Sequence, residues 1–116
     1  MEVQIFGVRK SSATRKALRF FSERRIRTHF VDLTVKPPSK GELRRFADRF
    51  GIESLLDRES PRFAERGLGA AARGEDWWLE QLTEDPLLLR LPLVREKQRL
   101  TIGDAEASWK EWVRPG

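Results

Sequence analysis

The residues best placed for chemistry are Arg9, Lys10, Ser11, Ser12, Thr14 and Arg15, in the run from Gly7 to Lys16. Hydroxyls at the head of a helix, with cations beside them, form a cradle for a small oxyanion, because the first backbone N–H groups of a helix are unpaired and partly positive. The plainer reading gives Ser11 or Ser12 a capping role, in which the side-chain oxygen accepts one of those N–H bonds. Nucleophilic work asks for more. A serine attacks only when a base takes its proton, and the one histidine, His29, falls in a later apolar segment where a packed or solvent-edge place is expected.

The elements that must position these residues follow from periodicity. Val3 to Phe6 reads as a short strand bounded by Gly7. In the helix after it, Thr14, Ala17, Leu18 and Phe21 share an apolar-leaning face, and Arg15, Lys16 and Arg19 point mostly away from it. Thr28 to Leu33 is a second strand, so the segment is a βαβ unit with parallel strands. Ser39 caps a helix running to about Phe50, with Leu43, Phe46, Ala47 and Phe50 inward, and Gly51 stops it. A helical subregion follows, loosened around Gly67, Gly69 and Gly74. Strand pattern returns at Leu91 to Val94 and at Leu100 to Ile102, a hairpin across Arg95 to Arg99. Asp104 caps a last helix with Ala105, Trp109, Trp112 and Val113 on its buried stripe.

Composition excludes whole classes. The chain has no cysteine, so disulfides, thiolate metal sites and every cysteine mechanism are ruled out within it. Asp57, Glu59, Glu75, Asp76 and Glu80 lack histidine-assisted metal spacing and read as a solvated face. No P-loop, dinucleotide fingerprint or helix-turn-helix pattern occurs, so no metal or cofactor is expected. At 116 residues the expected organisation is one domain. No apolar stretch approaches the roughly 18 residues of a membrane span, and the first residues lack an export signal, so a cytoplasmic protein is expected.

The net charge of +5 is unevenly spread. Residues 1–58 hold fourteen Lys and Arg against seven Asp and Glu, whereas residues 59–116 hold nine against eleven. Such an edge would steer an anionic partner, although an Arg-rich composition on ordinary solvated faces is the favoured account. Trp77 and Trp78 are adjacent, so on a helix one of the pair is partly exposed. An exposed Trp78 would favour a macromolecular contact, and core filling is expected for at least three of the four tryptophans.

The order and spacing of these pieces resemble the arsenate reductase-like family, also called ArsC/Spx, over nearly the whole chain. Its members begin with strand, loop, cysteine and helix; here the matching text is Ser11-Ser12-Ala13-Thr14-Arg15-Lys16-Ala17. A helical insertion follows the second strand, then a segment matching Asp85-Pro86-Leu87-Leu88-Leu89-Arg90-Leu91-Pro92-Leu93-Val94. The resemblance implies a thioredoxin-like α/β fold, with a central mixed four-stranded sheet, flanking helices and an inserted helical subregion at about 39–90, between β-α-β at 1–35 and β-β-α at 91–114. It places the family's nucleophile position on Ser11, the second motif position on Thr14, and the cis-proline on Pro92, which from the residues alone fits either isomer.

The resemblance also exposes departures. The basic residue before the proline becomes Leu91, although Arg90 stands just before it, and the family's Asn-x-Arg segment falls on Asp57-Arg58-Glu59, with Glu59 where a cation is expected. A carboxylate there repels arsenate. The expected function is therefore a non-redox binding or regulatory module, with Arg9, Lys10, Ser11, Ser12, Arg15, Arg58, Arg90 and Pro92 as candidate anion or partner contacts. By family analogy the partner is a protein such as the RNA polymerase α subunit, or else a small oxyanion; direct nucleic-acid binding is not favoured. The alternative is an arsenate reductase-like or glutaredoxin-like oxidoreductase that acts with a partner's thiol.

Overall fold

A computed structural model describes residues 1–115, which divide into two compact units. The first comprises Met1–Asp32 with the segment from Leu91 onward, and the second is the insertion Leu33–Arg90.

The first unit carries the sheet. Its strands are β1 (Glu2–Gly7), β2 (Arg27–Asp32), β3 (Leu93–Glu96) and β4 (Arg99–Ile102), in the order β2-β1-β3-β4. β2 runs parallel to β1, as a strand returning through a helix must, and the other two neighbours are antiparallel. Helix α1 (Ser12–Glu23) makes the crossover. The β3–β4 hairpin is tighter than expected: only Lys97 and Gln98 lie between the strands, and Arg95, Glu96 and Arg99 belong to the ladder.

Helices α1 and α5 (Glu106–Trp112) share a core with the sheet, built from Val3, Ile5, Ala17, Phe20, Phe21, Val94 and Trp109. Trp109 is the anchor. It is wholly buried, its ring lies 5.6 Å from Phe20 and 5.7 Å from Phe21, and its indole N–H donates to the Thr101 hydroxyl at 2.9 Å. Truncating such a tryptophan costs about 3–5 kcal/mol. Lys16 joins the same two segments through Asp104 at 2.8 Å and Glu106 at 3.0 Å, and these carboxylates hold its ammonium above its usual pKa. That bridge is open to solvent and screened by salt, so packing rather than charge fixes α5.

Two details of the apolar pattern differ from expectation. On α1 it is Phe20 that is buried with Thr14, Ala17 and Phe21, while Leu18 is only partly covered. The N-cap of α5 is Ala105 rather than Asp104, yet the Asp104 carboxylate accepts from the Glu106 N–H at 3.3 Å and so still serves the first turn.

The insertion is helical: α2 (Lys40–Phe50), α3 (Pro61–Glu65) and α4 (Glu75–Glu84), with short 3-10 turns at Ile52–Leu55 and Pro86–Leu88. Ser39 and Glu42 close a reciprocal capping box on α2. Leu43, Phe46 and Ala47 face inward as expected, but Phe50 is 41% exposed, because the helix ends there and Gly51 turns the chain away at φ 87°. Trp78 is buried and Trp77 is the partly exposed member of the pair, so Trp78 offers no contact surface. The Asp85 carboxylate, almost fully buried, receives Arg62 at 2.6 Å and Arg66 at 2.9 Å. Both arginines lie on or just after α3 and Asp85 follows α4, so the pair of contacts ties these segments together. Removing Asp85 would leave two cations facing a buried gap.

α1 ends in a Schellman motif. The Ile26 N–H donates to the Phe21 carbonyl and the Arg25 N–H to the Ser22 carbonyl, both at 3.0 Å, with Arg25 in the left-handed region at φ 56°. Glycine normally fills this place because a Cβ is strained there. We expect Arg25→Gly to stabilise the protein by up to about 1 kcal/mol, read as a higher urea midpoint at unchanged slope.

Candidate functional site

The head of α1 is set by the end of β1. A Cβ on Gly7 would lie 2.5 Å from Thr14 Oγ1 and 2.6 Å from Thr14 Cγ2, so only glycine lets the first turn of α1 come this close to the strand. The Phe6–Leu93 pairing places Pro92 one step further along, opposite Gly7. Pro92 is buried, its peptide bond with Leu91 is cis, and its carbonyl accepts from the Gly103 N–H at 2.8 Å. Gly7, Thr14 and the start of β3 thus meet at one end of the sheet, with Ser11 on the connecting loop.

Ser11, not Ser12, is the cap. Its Oγ accepts from the Thr14 N–H at 3.1 Å, and its carbonyl accepts from the Arg15 N–H at 3.0 Å. Ser12 and Lys10 are exposed and Ser11 is half-buried. Thr14 is wholly buried, and its hydroxyl has no hydrogen-bond partner among the described residues. Thr14 is thus a sealed side chain packed on glycine.

The cations beside the cap serve the fold. The Arg15 guanidinium turns back onto the loop, donating from one nitrogen to the Arg9 carbonyl at 2.6 Å and the Lys10 carbonyl at 2.9 Å. Arg9 lies over the Phe30 ring at 4.8 Å. The structure therefore brings Arg9, Lys10, Ser11, Ser12 and Arg15 together on one loop, with Arg15 engaged in holding it.

Arg58 and Arg90 belong to the insertion. Arg58 grips the Glu53 carboxylate with two nitrogens, donates to the Gly69 carbonyl at 3.1 Å, and lies 5.1 Å from the Trp78 ring. The pair holds Glu53 below the usual carboxylate range and raises Arg58. Arg58 is thus a clamp between chain segments, which nothing in the local sequence announced: its partners are a carboxylate in the preceding turn, a backbone carbonyl and a distant indole. Arg90 is exposed and reaches the Leu56 carbonyl at 3.4 Å, beside a backbone bond from its own N–H to Leu55 at 2.7 Å. Glu59 is exposed, and Leu91, which belongs to the first unit, is half-buried. His29 is exposed on β2, where it lines an open shelf of about 240 Å³ with Glu2, Gln4, Arg95 and neighbours. Among the described residues no cluster of three His, Asp or Glu could hold a metal.

Two measurements check this local picture. Replacing the unpartnered, buried Thr14 hydroxyl by a methyl should stabilise the protein, because an unpaired polar group costs about 1–3 kcal/mol; Thr14→Val is expected to raise the thermal midpoint. Gly7→Ala should destabilise by about 1–3 kcal/mol through overpacking, and a second change, Thr14→Ala, should recover part of that loss in a double-mutant cycle.

The ArsC family signature matches residues 6–112. An uncharacterized protein of Bacillus subtilis, YusI, is 24% identical over 115 residues, spanning 96% of this chain and 98% of its own. An arsenate reductase from Vibrio cholerae superposes with a TM-score of 0.82 at 22% identity, covering 96% of this chain and 97% of that one. A protein described as YFFB superposes at 0.84 with 19% identity, covering 94% and 96%. At these identities the superpositions establish the thioredoxin-like fold, with its mixed four-stranded sheet and flanking helices. The family signature, running from the last core residue of β1 to the last residue of α5, establishes that the chain belongs to the ArsC family.

Proposed function

We propose that this chain is a non-redox member of the ArsC family that works by binding a partner in a regulatory role. One observation carries the proposal: the chain has no cysteine, and the Ser11 oxygen, which the resemblance sets at the family's sulfur position, is occupied in capping α1. A thiol cycles because its thiolate forms at moderate pH and the resulting disulfide can be exchanged. A seryl hydroxyl does neither.

Other positions that the resemblance singles out support the same reading. Within the sheet-bearing unit the Thr14 hydroxyl is sealed against Gly7, and Leu91 is apolar where the resemblance implies a basic residue; within the insertion, Arg58 is held by Glu53. Reduction of arsenate would then need an external thiol to perform every covalent step. The resemblance offers the C-terminal domain of the RNA polymerase α subunit as a first partner to test, in a cytoplasmic setting.

The test is turnover. With arsenate, glutathione and glutaredoxin supplied, the full chain should give no reduction above a matched control lacking it. Turnover above that control would instead favour an oxidoreductase that borrows a partner's thiol. Ser11→Cys restores the sulfur alone and is expected to give little or no activity. A strong gain would show that the rest of an oxyanion pocket works, and would sink the binding-module reading.

A further inference from the structure

A second surface of the sheet-bearing unit lies at the opposite end of α1 from Ser11. The end of α1, the approach to β2 and the end of α5 enclose a groove of about 520 Å³, lined by Met1, Arg24, Ile26, Trp112, Val113 and Arg114. Ile26, Trp112 and Val113 are partly buried and rest on the core, and the Trp112 ring stacks 6.5 Å from Phe21 at 26°, so the apolar floor is held in place.

Among the described residues the rim is cationic and only partly compensated. Arg24 lies 3.6 Å over the Phe20 ring and donates to the Phe20 carbonyl at 2.9 Å, which fixes its guanidinium without neutralising it. Arg114 meets Glu111 at 3.4 Å, with the two side chains 72% and 69% exposed, a pair readily exchanged for another carboxylate. Arg25 and Arg27 flank Ile26 in the sequence, and Glu2 lies 3.8 Å from Arg27. Arg99, already bound to Glu96, reaches within 5.4 Å of the Trp112 ring. A tryptophan ringed by arginines is the composition that dominates binding energy at protein interfaces.

We propose that this groove docks a segment of a partner protein that presents one or two apolar side chains flanked by carboxylates. The apolar part seats on Ile26, Trp112 and Val113, while the carboxylates pair with Arg24 and Arg114. A single ring set among aliphatic side chains suits an inserted side chain better than a run of stacked bases, which needs successive aromatic platforms. The proposal gives the binding role above a partner chemistry, yet uses no residue at the head of α1, so the two can fail separately.

The test titrates the full-length, nitrogen-labelled chain with the blocked peptide Asp-Glu-Leu-Phe-Glu-Asp and follows the four indole N–H signals by NMR, with Trp112→Phe identifying that of Trp112. A saturable shift of the Trp112 signal is expected, weakening as salt is raised and weakening about tenfold or more in the Arg24→Glu, Arg114→Glu double variant. The corresponding double lysine variant should retain binding. Should the double reversal unfold the chain, Arg114→Glu alone repeats the measurement at an exposed site. Absence of a saturable Trp112 shift, unchanged affinity after charge reversal, or tighter binding of Lys-Lys-Leu-Phe-Lys-Lys or of an oligothymidine would each overturn the groove assignment. None of these outcomes touches the non-redox reading, which stands on turnover.

Discussion

The close approach of α1 to the end of β1 is the constraint from which the site is built. Gly7 allows Thr14 to sit where any Cβ would collide with it. Because Thr14 is fixed there, its N–H is directed to Ser11, the loop from Val8 to Ser11 is drawn tight by the Ser11 N–H to Val8 carbonyl bond of 3.0 Å, and Arg15 is left close enough to bind two loop carbonyls. The same register sets Pro92 opposite Gly7. A hydroxyl at the helix head is thereby employed as structure. A cap of this kind stabilises a helix by about 1 kcal/mol, enough to account for a serine there without any catalytic role.

The arginine excess resolves into separate tasks once partners are known. Arg15 braces a loop, Arg58 clamps Glu53 and an indole face, Arg62 and Arg66 converge on Asp85, and Arg99 holds Glu96. Guanidinium groups suit this work because their planar fork meets carbonyls and carboxylates while the face lies on an aromatic ring. The positive charge counted along the first half of the chain is therefore a poor guide to where an anionic partner would go. What matters is which cations lack a carboxylate partner among the described residues, and Arg24 at the end of α1 is one of them.

Much of the architecture was legible because local signals agreed with one another. The alternating strands, the serine caps of α1 and α2, the glycine stop at Gly51 and the tryptophan stripe of α5 all depend on neighbours within a few residues. The errors arose where a choice depends on tertiary surroundings. Leu18 and Phe20 both border the apolar face of α1, and it is the fit of Phe20 against Trp109 that buries it more deeply. Phe50 keeps the helical spacing but sits at the end of α2, beyond cover. Trp77 and Trp78 cannot be ranked from adjacency, since the Phe63 ring at 5.8 Å that packs on Trp78 comes from another helix. At the site, the cap and its cations were readable from their spacing. The Gly7–Thr14 contact and the commitments of Arg15 and Arg58 were not, because each is a distance across folded segments.

The placement of the tryptophans gives the protein a built-in optical division of labour. Trp109 and Trp112 lie in the sheet-bearing unit, Trp77 and Trp78 lie in the insertion, and there is no tyrosine to blur them. Each unit also pairs one enclosed indole with one nearer the solvent. Near-ultraviolet emission from single-pair variants would consequently resolve whether the insertion melts in step with the sheet or on its own schedule, with no label attached.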